Sequence, residues 1–146
     1  MKFEFVAALG AAVTLTAACT NPGRGPAASV DLGPAPPSGA RLASSDCFYT
    51  RDIRSHTVGD DRTMFIEVAG KGVYRIGMSG ACLAAAISSD PIVTQQPPGS
   101  ALVCRPIDLD LSIARNGGGF ATRCIVDSLA RLTPEQAAAL PDKIRP

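Results

Sequence analysis

Cysteines are the residues of this sequence whose type and spacing point most directly to chemistry. There are five of them, at positions 19, 47, 82, 104 and 124. A zinc site is disfavoured, because no pair has the Cys-x-x-Cys spacing typical of zinc ligands. In an exported protein we expect them to form disulfides, and an odd number leaves one cysteine that needs a separate use.

Cys19 is the cysteine with a separate use. Residues 5–15 are an uncharged apolar run of eleven residues, which fits the core of a signal peptide and falls short of the roughly 20 needed to span a bilayer. Ala17 and Ala18 then precede Cys19, which resembles the bacterial lipobox, although Thr16 stands where leucine is usual. We therefore predict a signal peptide over 1–18 and lipidation of Cys19. The alternative is cleavage nearby and release of a soluble protein.

The stretch after Cys19 is typical of a tether. Residues 19–45 contain five prolines and four glycines and show no apolar period, so they predict a flexible tether. In the resemblance to bacterial lipoproteins, Thr20 after the cysteine implies anchoring in the outer membrane, facing the periplasm. A soluble periplasmic protein is the alternative.

The remaining cysteines can pair in three ways. We expect one disulfide to join Cys47 to Cys124 and the other to join Cys82 to Cys104. Cys47 opens the folded region and Cys124 lies on its last predicted strand, so this pairing would clip the two ends together.

The folded region, residues 46–132, shows short apolar stretches separated by turn residues. Strands are predicted over 48–58, 63–69, 73–78, 92–94, 101–104, 107–113 and 120–129, with turns at 59–62, 70–72 and 115–119. The alanine-rich segment 80–87 breaks the alternation and favours a short helix between the third and fourth strands. The order predicts a mainly β fold, a disulfide-linked OB-like β-barrel, with a β-sandwich as the alternative.

The last residues, 133–146, are predicted to form a short helix and a tail. Thr133 has the character of an N-cap, Pro134 follows at the first helical position, and Gln136 completes a capping box. Pro141 would end the helix.

The clearest alternation is the segment 107–113. Ile107, Leu109, Leu111 and Ile113 would share a buried face of one strand, with Asp108, Asp110 and Ser112 on the opposite face. The two carboxylates suggest a Ca²⁺ site or a solvated strand face, and the solvated face is favoured because no calcium-loop spacing is present.

Four arginines lie in or near the first predicted strands, namely Arg51, Arg54, Arg62 and Arg75. If those strands pair, these side chains would form an anion-binding cluster for a phosphate or carboxylate group. The alternative is that they are scattered over the surface for solubility.

Several classes of function are disfavoured. Nucleic-acid binding needs a basic groove with aromatic side chains, whereas the formal net charge is +1 and the chain has no Trp. His56 is the only histidine, and no nucleophile motif accompanies it. We therefore predict no catalytic residues, no metal site and no cofactor.

The order of several short motifs resembles a family of small bacterial secreted proteins and lipoproteins of unknown function. The resemblance covers about residues 46–140 and rests on "DCFYTRDI" at 46–53, "DDRT" at 60–63, "VYRIGM" at 73–78, Cys82, Cys104, "RCIVDSL" at 123–129 and "LTPEQAAAL" at 132–140. It implies an exported β domain and no reaction. We expect a non-catalytic envelope protein, held to the membrane by a lipid, that binds another envelope protein or a cell-wall component. The alternative is a secreted module that binds a small ligand or ion.

Overall fold

The regular structure of the chain is dominated by short antiparallel strands. The structure is a computed structural model, which describes residues 32–95, 101–115, 119 and 121–146. The strands are β1 (Phe48–Tyr49), β2 (Ile53–Val58), β3 (Thr63–Val68), β4 (Gly72–Met78), β5 (Ile92–Gln95), β6 (Leu102–Val103), β7 (Asp110–Ile113), β8 (Thr122–Cys124) and β9 (Val126–Arg131). Within these ranges there is one α-helix, α1, which covers Pro134–Ala139. The prediction of a mainly β protein is confirmed.

The strands form three antiparallel sheets. One has the order β2-β3-β4-β9, a second has the order β5-β7-β8, and β1 pairs with β6. No closed barrel is found among the strands that the structure describes. The predicted strand over 120–129 is two strands, because β8 pairs with β7 while β9 pairs with β4, and the chain changes sheet at Ile125.

The β3–β4 hairpin matches its prediction. Alternate residues face inwards, so that Met64 lies opposite Ile76 and Ile66 lies opposite Tyr74. Gly70 and Gly72 have φ angles of +70° and +93°, and such backbone conformations favour glycine in the connecting turn.

One core joins the inner faces of all three sheets. Phe48 from β1, Tyr74 from β4 and Leu111 from β7 are all buried in it. The Phe48 and Tyr74 rings lie 4.8 Å apart, and the Tyr74 hydroxyl donates a hydrogen bond of 2.7 Å to the carbonyl oxygen of Asp46. Burial raises the pKa of Tyr74.

A second, smaller core lies on the outer face of the four-stranded sheet. Phe65, Leu132 and Leu140 are buried there, and Val73 and Ala137 pack against them. The helix that brings Leu140 to this face begins as predicted. The Thr133 hydroxyl accepts from the Gln136 amide N–H at 3.2 Å, and the Gln136 side chain accepts from the Thr133 N–H at 2.9 Å.

Two predicted elements are interrupted. The strand predicted over 48–58 is broken by a 3-10 turn at Thr50–Asp52. The segment 107–113 begins instead with a 3-10 turn at Pro106–Asp108, because proline starts the turn and the Asp108 carboxylate accepts the backbone N–H of Arg105 at 2.9 Å. Ile107 is therefore 82% exposed, and the prediction that it shares the buried face is wrong.

The short helix predicted over 80–87 is absent from the structure, where the segment forms single turns. The Ala84 N–H donates a hydrogen bond to the carbonyl oxygen of Ala81, and the Ala86 N–H donates one to the carbonyl oxygen of Leu83. Both bonds span three residues, as in single turns. Ala85 has a φ of +60°, which cannot continue a right-handed helix. The disulfide at Cys82 and the burial of Leu83 take precedence over the helix propensity of the alanines.

The predicted disulfide pairing is wrong. Cys47 pairs with Cys104, and Cys82 pairs with Cys124, with Cα–Cα distances of 4.6 and 5.6 Å. The Cys47–Cys104 pair follows from the register of β1 against β6. Phe48 lies opposite Val103, so Cys47, which precedes Phe48, faces Cys104, which follows Val103. The two disulfide loops overlap between residues 82 and 104.

Residues 32–45, which we assigned to the tether, contact the folded domain. The N–H of Gly39 bonds to the carbonyl of Asp127 at 2.9 Å, and that of Leu42 bonds to the carbonyl of Cys104 at 2.8 Å. The folded part therefore includes this stretch. The predicted signal peptide, Cys19 and the start of the tether lie outside the described residues, as does most of the turn predicted at 115–119. Among the helices of the described ranges, none is long and apolar enough to cross a bilayer.

Candidate functional site

The four arginines of the predicted anion-binding cluster lie at different places on the four-stranded sheet. Arg51 precedes β2 and Arg62 follows it in the turn before β3. A strand of six residues separates them by about 20 Å along the chain. Arg54 is exposed within β2, and Arg75 lies in the middle of β4. The structure therefore does not bring all four arginines together.

Two of these arginines have partners within the chain. The Arg51 guanidinium lies 4.5 Å from the centre of the Tyr49 ring and 4.0 Å from the Asp52 carboxylate. The Arg75 guanidinium donates to the carbonyl oxygen of Pro34 at 3.1 Å. Anion binding at any of the four stays a prediction.

The two carboxylates of the segment 107–113 each form an ion pair with an arginine of this chain. Arg105 contacts Asp108 at 2.8 Å, and Arg123 contacts Asp110 at 2.9 Å. The hydrogen bond from Arg105 lowers the pKa of Asp108. Within the described ranges, no group of three or more His, Cys, Asp or Glu side chains is placed to share a metal ion.

His56 and the cysteines predicted to form disulfides have structural partners. His56 Nε2 lies 2.9 Å from the carbonyl oxygen of Asp90. Cys47, Cys82, Cys104 and Cys124 are all paired in disulfides.

A concave groove lies at one end of the three-stranded sheet. It has a volume of about 650 Å³ and is lined by Gln95 and by residues 106–110 and 123–126. We call it the Ile107–Ile125 groove. Its lining comes from the end of β5, the 3-10 turn, the start of β7 and the chain between β8 and β9. A volume of this size is in the range of small-molecule sites.

Two exposed isoleucines contribute apolar surface to the groove. Ile107 is 82% exposed and Ile125 is 70% exposed, the highest values among the large apolar residues of the described ranges. Ile107 points outwards because of the turn that begins at Pro106. Ile125 is exposed because burial alternates along the chain, with Cys124 and Val126 on the buried side. Such side chains, exposed beside a groove, are typical of a contact surface.

The Arg123–Asp110 ion pair gives the groove a charged group. The Arg123 side chain is 75% exposed, whereas that of Asp110 is 30% exposed. Asp108 is already paired with Arg105. The guanidinium of Arg123 is therefore the charge that this groove presents most openly to solvent.

Sequence reasoning identified Asp108 and Asp110 as candidates and missed the groove that they line. The exposure of Ile125 could be predicted from the sequence, because this residue alternates in phase with the charged residues Arg123 and Asp127. An isoleucine on the polar phase of a strand indicates an exposed apolar side chain. The exposure of Ile107 depends on the turn at Pro106 and could not be predicted from alternation alone.

No family model, curated protein or solved structure matches this chain. The family resemblance drawn from the motifs therefore stays a prediction, and the groove is the main basis for a functional proposal.

Proposed function

We propose that this protein is a non-catalytic accessory protein of the bacterial cell envelope, which binds another envelope component through the Ile107–Ile125 groove. The observation that carries this proposal is the exposure of two isoleucines, 82% and 70%, on the border of one groove. Leaving both side chains in water forgoes about 1.5 to 3 kcal/mol each relative to full burial, so a partner that covers them gains affinity.

The proposed compartment is outside the cytoplasm. Two disulfides link the domain, and such bonds form and persist in oxidising environments. We further propose that residues 1–18 are a signal peptide and that Cys19 carries a lipid that holds the protein at the outer membrane, facing the periplasm. Release as a soluble periplasmic protein is the alternative.

The finer architecture is proposed to be an OB-like barrel, with a sandwich as the alternative. All three sheets contribute side chains to one core, which both arrangements require. The change of sheet at Ile125, between β8 and β9, is typical of a corner in orthogonally packed sheets and supports either arrangement.

A photo-cross-linking experiment tests the proposed binding surface. A benzophenone amino acid at Ile107 is expected to give a cross-linked product in native cells, which mass spectrometry then identifies as an envelope component. The matched control is the same substitution at Ile87, which is 57% exposed and lies outside the groove. No product at Ile107, or the same products from both positions, would contradict the proposal.

The proposed anchor has its own test. The full chain should sediment with membranes and carry the mass of added lipid, and Cys19→Ala should be soluble without that mass. If both proteins are soluble and neither carries the mass of added lipid, the anchor is ruled out and the released form is favoured.

A second candidate is a small-ligand or ion-binding module, which the 650 Å³ volume of the groove favours. A thermal-shift screen with ions, sugars and small carboxylates tests it. A ligand at 100 times its Kd should stabilise the folded state by about 2.7 kcal/mol. Absence of any shift would exclude the compounds tried.

A further inference from the structure

We propose that this chain forms a symmetric dimer in which β5 of one copy pairs antiparallel with β5 of a second copy. The inference goes beyond the proposed function, because it concerns self-association and does not depend on the envelope partner. It is argued from the free edge of the three-stranded sheet and from the exposed side chain at its centre, Val93.

β5 is an edge strand whose backbone alternation can be assigned. The sheet order is β5-β7-β8, so one side of β5 pairs with β7 and the other side has no strand among the described residues. The Ala114 N–H donates to the carbonyl oxygen of Pro91 at 2.9 Å, which fixes the phase of the β5–β7 ladder. Val93 therefore bonds to β7, whereas the N–H and carbonyl groups of Ile92 and Thr94 point away from it.

The outward groups of Ile92 and Thr94 form an open template for one further strand. Within the described ranges, neither residue has a hydrogen-bond partner for its N–H or its carbonyl oxygen. Natural edges are commonly protected by charged side chains, especially lysine, and the sequence of β5, IVTQ, has none. Pro91 faces β7, so its missing N–H takes no donor from the free edge.

The positions of the free groups match a second copy of the same strand. A two-fold axis at Val93 places Ile92 of each copy opposite Thr94 of the other copy. Each of these two pairs exchanges two backbone hydrogen bonds, so all the free groups of both strands are satisfied. Val93 then faces its own copy in a non-hydrogen-bonded pair, in which the Cα atoms are about 4.5 Å apart and the side chains are closest.

The side chains of the strand also suit a symmetric contact. Val93 is 39% exposed, and its own copy would cover it with a second β-branched side chain. A two-fold axis brings a charged side chain near the axis close to an identical charge, which is repulsive. Because β5 carries no charge, its pairing with itself meets no such penalty.

The shortness of the edge favours a folded copy over a flexible peptide. A few hydrogen bonds between neutral groups contribute little net free energy in water, whereas a flexible peptide loses backbone entropy at every residue that becomes ordered. A second copy brings a strand that its own β7 already holds in the extended conformation. That strand also has the register that the free groups require.

Sedimentation equilibrium of the purified Cys19→Ala chain, which carries no lipid, tests the proposal. At concentrations up to ~1 mM, we expect the mean mass to rise from that of one chain towards that of two. Thr94→Pro should weaken the dimer at least about tenfold, because it removes an outward N–H from each copy and leaves the bonds between β5 and β7 in place.

A charge exchange at Val93 tests the two-fold register. Val93→Lys and Val93→Glu should each be monomeric alone, because like charges then face each other across the axis. An equal mixture of the two should form dimers, because opposite charges then meet. The matched control is Leu102→Lys, a change on β6 at a residue 43% exposed, which should dimerise as the wild type does.

The other outcomes overturn the inference. A monomer at every concentration would mean that the edge is left to a strand of another protein or to solvent. A dimer that is insensitive to both Val93 changes would lie elsewhere on the surface. Failure of the mixture to recover the dimer would show that Val93 does not face its own copy. None of these results bears on cross-linking at Ile107, so the proposed function is tested separately.

Discussion

Gly77 in β4 lies directly opposite Ser128 in β9, and a Cβ atom added at Gly77 would collide with the Ser128 hydroxyl. Ser128 is buried, and its hydroxyl would have to shift to admit the added methyl group. The close approach belongs to the β4–β9 pairing, which attaches the last strand to the four-stranded sheet.

Gly77→Ala is therefore expected to destabilise the fold by about 1 to 3 kcal/mol, the usual cost of overpacking. Ser128→Ala removes the colliding oxygen and should recover most of that loss in the double variant. Denaturant unfolding of the two single variants and the double variant measures the coupling. Additive effects of the two changes would show that the collision is not the cause.

The disulfide pairing gives a second prediction. Replacing both Cys47 and Cys104 by alanine should lower the free energy of unfolding by about 4 kcal/mol in the chain-entropy model, because the bond closes a loop with a sequence separation of 57. The matched variant without Cys82 and Cys124, with a separation of 42, should lose nearly as much. Non-reducing digestion and mass spectrometry checks the pairing itself, and a peptide that links Cys47 to Cys124 would contradict it.

The carboxyl of Asp108 gives a third prediction, which is that the free energy of unfolding depends on pH in the acid range. The hydrogen bond from Arg105 lowers the pKa of this carboxyl in the folded state below its unfolded value of about 3.9. The stabilisation is then fully present above the unfolded pKa and is lost as the pH falls through the lower folded pKa. The wild type should therefore lose its stability advantage over Asp108→Asn as the pH is lowered from 5 to below about 3.

The control for this pH effect is Arg105→Gln, which removes the donor and leaves the carboxyl. Because Arg105 is the main cause of the lowered pKa, this variant should show a weaker loss of stability in the same acid range. An equal acid loss in both proteins would contradict the assignment.

The C-terminal helix offers a fourth prediction. Leu140 is 1% exposed and packs in the second core, so Leu140→Ala should cost about 2 to 5 kcal/mol. Thr133→Ala removes the N-cap and should cost about 1 kcal/mol. Thermal and denaturant unfolding measure both, with the exposed change Ala139→Ser as control. A Leu140→Ala protein as stable as the control would show that the helix is not packed on the sheet.

The sequence predicted those elements whose cause is local. The β3–β4 hairpin follows from alternation and from glycines at 70 and 72, and the start of α1 follows from the capping box at Thr133. The disulfide pairing could not be predicted, because it depends on the register of β1 against β6, strands that are distant in sequence. The groove depends likewise on the turn at Pro106 and on the change of sheet at Ile125.

The overlap of the two disulfide loops has a consequence for proteolysis. The loops run from Cys47 to Cys104 and from Cys82 to Cys124, so every peptide bond between residues 47 and 124 lies inside at least one of them. A protease that cuts this interval once therefore yields a nicked protein whose two fragments remain covalently joined. Under oxidising conditions, the two fragments would run together on a gel and separate only after reduction. Both halves of the core would be retained beside each other.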